Sequence, residues 1–412
     1  MRKINIIVCV LFGMWIMPQS TLSQTRKMSL QDCIKMAVEK NPQMLAANRS
    51  VERAKALQGT AWDIDKTELS LSQDPTSGGS PDNALSLSQS IEFPTYYISR
   101  HKQLKAETQA EKSRAAVVQQ SLETDVKAAY YQAVYRAECL HVLEQQDSIL
   151  LQYRLLAEKR YQAGETRQLE LLSAERLQRE NKMEILAAQN ELETAQLLLS
   201  RLVGSSETVE PMEETLHPLP WKQTAYNYRQ TPDGLYATDR IHVADQAVRV
   251  VKNGFVPSLS LSLRNQMVIS SWNPYNQDRS RFDGGNFMGF EVGVGIPLFF
   301  GATRAKVKAA QKEREMVVLE MQEQELQRQQ EYLSALSRMN AAFVKYTYYN
   351  EDGREQSEKM TQQGLLEYSQ GEISYLEYMN ILQEAIDLRL KRAAAINDYN
   401  QCVLAMQRLC GK

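Results

Sequence analysis

Between Pro94 and Gly164 the chain contains neither glycine nor proline, and the stretch is rich in Ala, Gln, Glu, Lys, Leu and Arg. Those residues favour helix, and nothing in the interval interrupts one. At about 1.5 Å per residue the stretch makes a rod on the order of 100 Å long, longer than any single globular core. A second uninterrupted stretch runs from Glu165 to Val203 and ends at Gly204, so Gly164 is the turn of an antiparallel helical hairpin. The same plan recurs between Ala302 and Asp352 and between Glu372 and Cys410, the latter closing on Gly411.

The recurrence keeps one register. The turns read YQAGE (161–165) and YSQGE (368–372), and the pairs Tyr161/Tyr368, Gly164/Gly371, Leu169/Leu376, Leu202/Leu409 and Gly204/Gly411 are each 207 residues apart. A shared offset over so many positions marks an internal duplication. Upstream, SIEFPTYYISRHKQLKAE parallels GVGIPLFFGATRAKVKAA, and Pro42 and Pro232 each stand 27 residues ahead of Leu69 and Leu259. Four units follow: residues 1–23, a first repeat over 24–204, a linker over 205–234, and a second repeat over 235–412. The first repeat holds a β-hairpin at 67–93 and a helical hairpin at 95–203. The second holds a β-hairpin at 256–296 and a helical hairpin at 302–410.

Both β-hairpins alternate apolar and polar residues. Leu69, Leu71, Leu85, Leu87, Ile91 and Phe93 face away from Ser86, Ser88, Ser90 and Glu92; in the second repeat Leu259, Leu261, Leu263, Phe290, Val292 and Val294 oppose Ser260, Ser262 and Gly293. The strands have the length of a tilted membrane strand, and their polar faces carry the small residues a water-filled lumen tolerates. Aromatic residues cluster at the strand–helix junctions around Pro94 and Pro297 (Phe93, Tyr96, Tyr97; Phe299, Phe300), an expected interfacial girdle. Four strands cannot close a barrel, so their open edges call for identical copies around an axis.

The N-terminal segment has a basic start at Arg2 and Lys3, an apolar run from Ile4 to Met17, and small residues at Thr21 and Ser23. It reads as a secretory signal over residues 1–23. Net charge is −2 with both signs interspersed, which argues against nucleic acid as a partner. Cys33, Cys139, Cys402 and Cys410 fit neither a disulfide framework nor a zinc motif and read as packed thiols. No nucleophile, metal cluster or phosphate loop stands out, so no catalytic residue, metal or cofactor is expected. Leu333, Leu336, Met339, Phe343 and Tyr346 recur at intervals of three and four, as helix-packing residues do.

Taken together, MSLQDCIKMAVEKNPQMLAANRS as a first helix, the junctions at Pro94 and Pro297, and the paired turns YQAGETRQLELLSAE and YSQGEISYLEYMNIL resemble the TolC family of outer-membrane efflux channels over the whole exported chain. The resemblance implies a mainly α protein with a small transmembrane β part. Three copies would close a twelve-stranded barrel in outer-membrane lipid, continued by a periplasmic α-helical barrel. It implies a passive exit duct, coupled through a periplasmic adaptor to an inner-membrane pump, here expected to be of the resistance-nodulation-division class. Gly164, Glu165, Gly371 and Glu372 would be adaptor-docking tips. Glu377, Asn380 and Tyr368, with the repeat-related Glu170, would form the periplasmic gate; Asn380 departs from the acidic residue of some members. A periplasmic coiled-coil adaptor and a type I secretion duct are the alternatives. The adaptor leaves the two strand hairpins unexplained.

Overall fold

A computed structural model describes residues 25–74, 82–222, 225–267 and 286–411. The expected signal segment and the loops at the strand-hairpin tips lie outside them. Strand β1 (Thr25–Met28) is followed by helices α1 (Leu30–Lys40) and α2 (Pro42–Leu57). The expected single first helix is therefore two. Asn41 precedes a proline, which drives it out of the helical region to ψ 127°. Its side-chain Oδ1 then accepts from the Gln43 amide, capping α2, while its Nδ2 donates to the Leu202 carbonyl at 2.8 Å.

Strands β2 (Glu68–Asp74) and β3 (Asp82–Ile91) lead into α3 (Pro94–Gln162), a helix of 69 residues with Pro94 in its first turn. Helix α4 (Gln168–Val203) returns alongside it, and β4 (Thr208–Pro211) pairs in parallel with β1. The second half repeats the order with α5 (Pro232–Lys252), β5 (Ser258–Met267) and β6 (Asn286–Gly295). Its helical hairpin is α6 (Gly301–Asn350) and α7 (Asp352–Gln370), then α8 (Tyr375–Leu409). The two repeats differ at their junctions: the helix begins on Pro94 itself, but four residues after Pro297.

The four long strands form one antiparallel sheet in the order β2-β3-β5-β6. Its register aligns Leu69, Leu87, Leu263 and Phe290 in one row and Glu68, Ser88, Ser262 and Glu291 in the next. One face is therefore apolar and open, with Leu69 67 % and Phe290 76 % exposed, and the other is polar. Among the described residues, strands β2 and β6 have a neighbour on one side only. Of the expected aromatic girdle, Phe299 is 91 % exposed, but Tyr97 turns inward and stacks on Trp62 at 5.5 Å. No described helix is both long and apolar enough to cross a membrane.

Helix α3 changes neighbours along its length, so it buries different faces in turn. Tyr97 and Leu104 pack at its start, where α2 and α5 lie; Val126, Tyr130 and Val134 pack where α1 and α4 meet it; Leu150, Tyr153 and Ala157 pack near the turn. Cys33 is fully buried in the middle cluster, and burial pushes its thiol up to about 12. The buried Tyr130 hydroxyl donates to the Met28 carbonyl at 3.2 Å and accepts from the Met212 amide at 3.1 Å, tying β1 to the chain after β4. On α6 the packing expectation holds for Met339, which is buried; Leu333 and Phe343 stay 57 % and 50 % exposed in the single chain.

The linker is strapped onto α8 by one side chain. Asn400 is fully buried, accepts from the Leu219 amide at 2.8 Å and donates to the His217 carbonyl at 2.8 Å. A leucine there would leave two backbone groups unpaired at roughly 1–3 kcal/mol each. Asn400→Leu is expected to lower the thermal midpoint in detergent and to expose the linker near Trp221 to limited proteolysis; unchanged midpoint and cleavage would show the strap to be dispensable.

Candidate functional site

The two helical hairpins turn at one end of the molecule, and both turns close by the same backbone chemistry. After α3, the Glu165 amide reaches back to the Arg160 carbonyl at 2.9 Å and the Gly164 amide to Tyr161 at 3.0 Å. After α7, the Glu372 amide bonds the Glu367 carbonyl at 2.9 Å and the Gly371 amide bonds Tyr368 at 3.1 Å. This pattern needs a left-handed residue, and Gly164 (φ 74°) and Gly371 (φ 77°) supply it. Around both, the space a side chain would fill is open to 4 Å; at Gly204 and Gly411, which close the hairpins at their far ends with the same φ, it lies against Lys40 and Pro232.

A clasp of tyrosines joins the two hairpins just behind the turns. Tyr153 of α3 stacks on Tyr375 of α8 with centroids 3.5 Å apart and planes within 3°. Tyr368 of α7 stacks on Tyr378 at 4.9 Å and meets Tyr375 edge-on at 6.4 Å. Burial raises the Tyr153 and Tyr375 hydroxyls far above the ordinary tyrosine range, so both stay neutral. Met379, Leu382 and Ala174 pack around them. Of these residues only Tyr368 was legible as a candidate: Tyr153 and Tyr375 are 222 residues apart, and no local pattern links them.

The two repeat-related glutamates sit in different settings. Glu377 closes a capping box: Ser374 Oγ accepts from the Glu377 amide, and the Glu377 carboxylate accepts from the Ser374 amide at 2.8 Å. Those bonds hold its carboxyl below the ordinary glutamate range. In the first repeat the cap position is Arg167, which offers no acceptor. Glu170 instead accepts from Thr166 and from the Tyr153 hydroxyl (3.3 Å), and lies 3.9 Å from Arg160, so it is bound into the tip wall. Glu377 and Asn380 are exposed on one face of α8, opposite the buried Tyr378 and Leu382. Glu384, seven residues after Glu377 and also exposed, extends that face; the sequence reading passed over it, although the heptad interval was the available signal.

Between the tips runs a groove of about 790 Å³, floored by Leu169, Leu172, Tyr375 and Leu376 and edged by Thr166 and Arg176. Leu169 is 74 % and Leu376 62 % exposed. Glu165 and Glu372 stand at the turns themselves, exposed. Among the described residues no group of histidine, cysteine or carboxylate side chains could hold a metal ion.

Residues 33–205 match the family model of the outer membrane efflux protein. The match spans the first repeat from α1 to the end of its helical hairpin. No curated protein matches the chain. Solved structures that resemble it include the Campylobacter jejuni outer membrane channel CmeC, with 15 % identity, 93 % of this chain and 85 % of that one covered, and a TM-score of 0.70. The Vibrio cholerae outer membrane protein VceC gives 17 %, 93 %, 96 % and 0.71. The open state of the Neisseria gonorrhoeae outer membrane channel MtrE gives 16 %, 93 %, 88 % and 0.72. The chain thus has the fold of these channels through nearly all of its length, including the second repeat.

The tyrosine clasp and the Glu377 cap can each be tested. Tyr153→Ala removes a buried aromatic worth about 3–5 kcal/mol, whereas Tyr153→Phe keeps the stack. Hydrogen exchange should speed up around residues 368–379 in the alanine variant alone; equal protection in both would show that the clasp does not hold the hairpins together. The Glu377 cap follows pH through its lowered carboxyl: its contribution is full above the ordinary glutamate pKa and is lost as pH falls through the lowered value. Amides 374–377, corrected for intrinsic exchange, are expected to fray in acid; a Glu377→Gln chain should show no such dependence.

Proposed function

We propose that this protein is the outer-membrane exit duct of a tripartite efflux system, working as a homotrimer. The observation that carries the reading is the four-stranded sheet, with one face apolar and exposed, the other lined by serine, glycine and charged residues, and both edges open. Backbone groups at such edges must be paired within hydrocarbon, and three copies supply the twelve strands of a closed barrel. The helices then continue the wall into the periplasm as a tunnel. No residue performs chemistry; the energy for transport comes from an inner-membrane pump, of the resistance-nodulation-division class in this reading.

The tips take the remaining roles. The open space around Gly164 and Gly371, with Glu165 and Glu372 beside them and the apolar groove between, suits the helical hairpin of a periplasmic adaptor. Glu377, with Glu384 on the same exposed face of α8, places repeated carboxylates around the narrow end, where they attract cations. Asn380 keeps that face polar without adding charge. Glu170 contributes to the gate by holding the tip wall through Tyr153 and Arg160 rather than by facing the passage. An adaptor built of coiled coil alone would have no use for the sheet.

Native mass measured on protein extracted from outer membrane in mild detergent is expected to give a trimer; a monomer would overturn the duct. In planar bilayers Glu377→Gln, which keeps the capping geometry, is expected to lower cation over anion permeability. Gly371→Trp is expected to abolish adaptor-dependent drug or metal resistance in cells while leaving the trimer intact; full resistance would remove the second tip from docking.

A further inference from the structure

The single chain leaves two apolar stripes exposed, one on each lateral edge. On α4, Leu172, Met183, Leu186 and Leu197 are 51–65 % exposed and follow the alternating intervals of a heptad, on the side away from α3. On α6 and α7, Val344, Tyr348 and Leu366 are 68 %, 45 % and 49 % exposed, on the side away from α8. Each stripe continues an open strand edge. Helix α4 ends against Lys40 and Asn41, from which α2 runs into edge strand β2; edge strand β6 runs into α6.

We infer that these stripes are the two halves of one seam, the α4 face of one copy packing antiparallel on the α6–α7 face of the next. The inference rests on the trimeric reading above and adds the residues that meet. Levels are set by distance from the turns. Leu172 lies four residues after Gln168, the first of α4, and Leu366 four before Gln370, the last of α7. Glu193 lies twenty-five after Gln168, and Lys345 twenty-five before Gln370. Both are exposed, and neither has an ion-pair partner among the described residues. The matched heights bring leucine to leucine near the tips and opposite charges together higher up, the arrangement that fixes register in helical pairs.

Charge exchange tests it. Glu193→Lys and Lys345→Glu are each expected to lower the trimer-to-monomer ratio in detergent by about tenfold, since the like-charge contact recurs in every seam. The double variant Glu193→Lys with Lys345→Glu is expected to restore it. Oxidation of a chain carrying Leu172→Cys and Leu366→Cys should give covalent trimers beyond those of the parent chain, and a chain carrying Leu172→Cys and Lys345→Cys should not. A trimer with no rescue and no matched cross-link overturns the seam while the duct stands. Cross-linking of the mismatched pair overturns the register, and a native monomer overturns the trimeric reading itself.

Discussion

A strand edge in hydrocarbon must find a partner for its amides and carbonyls, because no water is there to take them. The rest of this protein is arranged around that constraint. Among the described residues the sheet has four strands and two free edges; in the proposed trimer closure comes from other copies, and the helices that leave the sheet keep its neighbours. The free strands β2 and β6 belong to the same chain segments as the free helix faces, which makes pairing in the membrane and packing below it one problem with one solution.

Much of this was legible because it is periodic. Alternation along Leu69, Leu71, Leu85 and Leu87 marks the strands, and the shared offset of the glycine turns marks the duplication; both are local signals written many times over. What escaped was tertiary. The parallel pair β1–β4 joins segments with no strand pattern of their own, and it forms because the Tyr130 hydroxyl gives their backbone a buried partner. The break at Asn41 was written in the following proline, yet the helical pattern on either side masked it.

At the tips, chain position and chemical role separate. Glu170 and Glu377 occupy equivalent positions in the two repeats, but Arg167 stands where the second repeat has Ser374, and that one difference changes what each carboxylate does. One caps its helix from an exposed face; the other is absorbed into a network with Thr166, Tyr153 and Arg160. A duplicated sequence has thus produced two unlike ends. Both glutamates stand third in their helices, but the environments depend on Tyr153, whose stacking partner Tyr375 lies in the other repeat.

The four left-handed glycines among the described residues divide them into a part that can vary and a part that cannot. At Gly204 and Gly411 a new side chain would meet both an unfavourable φ and the backbone of a neighbouring segment, at 3.2–3.3 Å. At Gly164 and Gly371 only the φ term opposes it, a cost of about 1–2 kcal/mol. Selection can therefore rewrite the turns in small steps without disturbing the hairpins behind them. Descendants of such a chain would diverge first at the tips and last where the hairpins close.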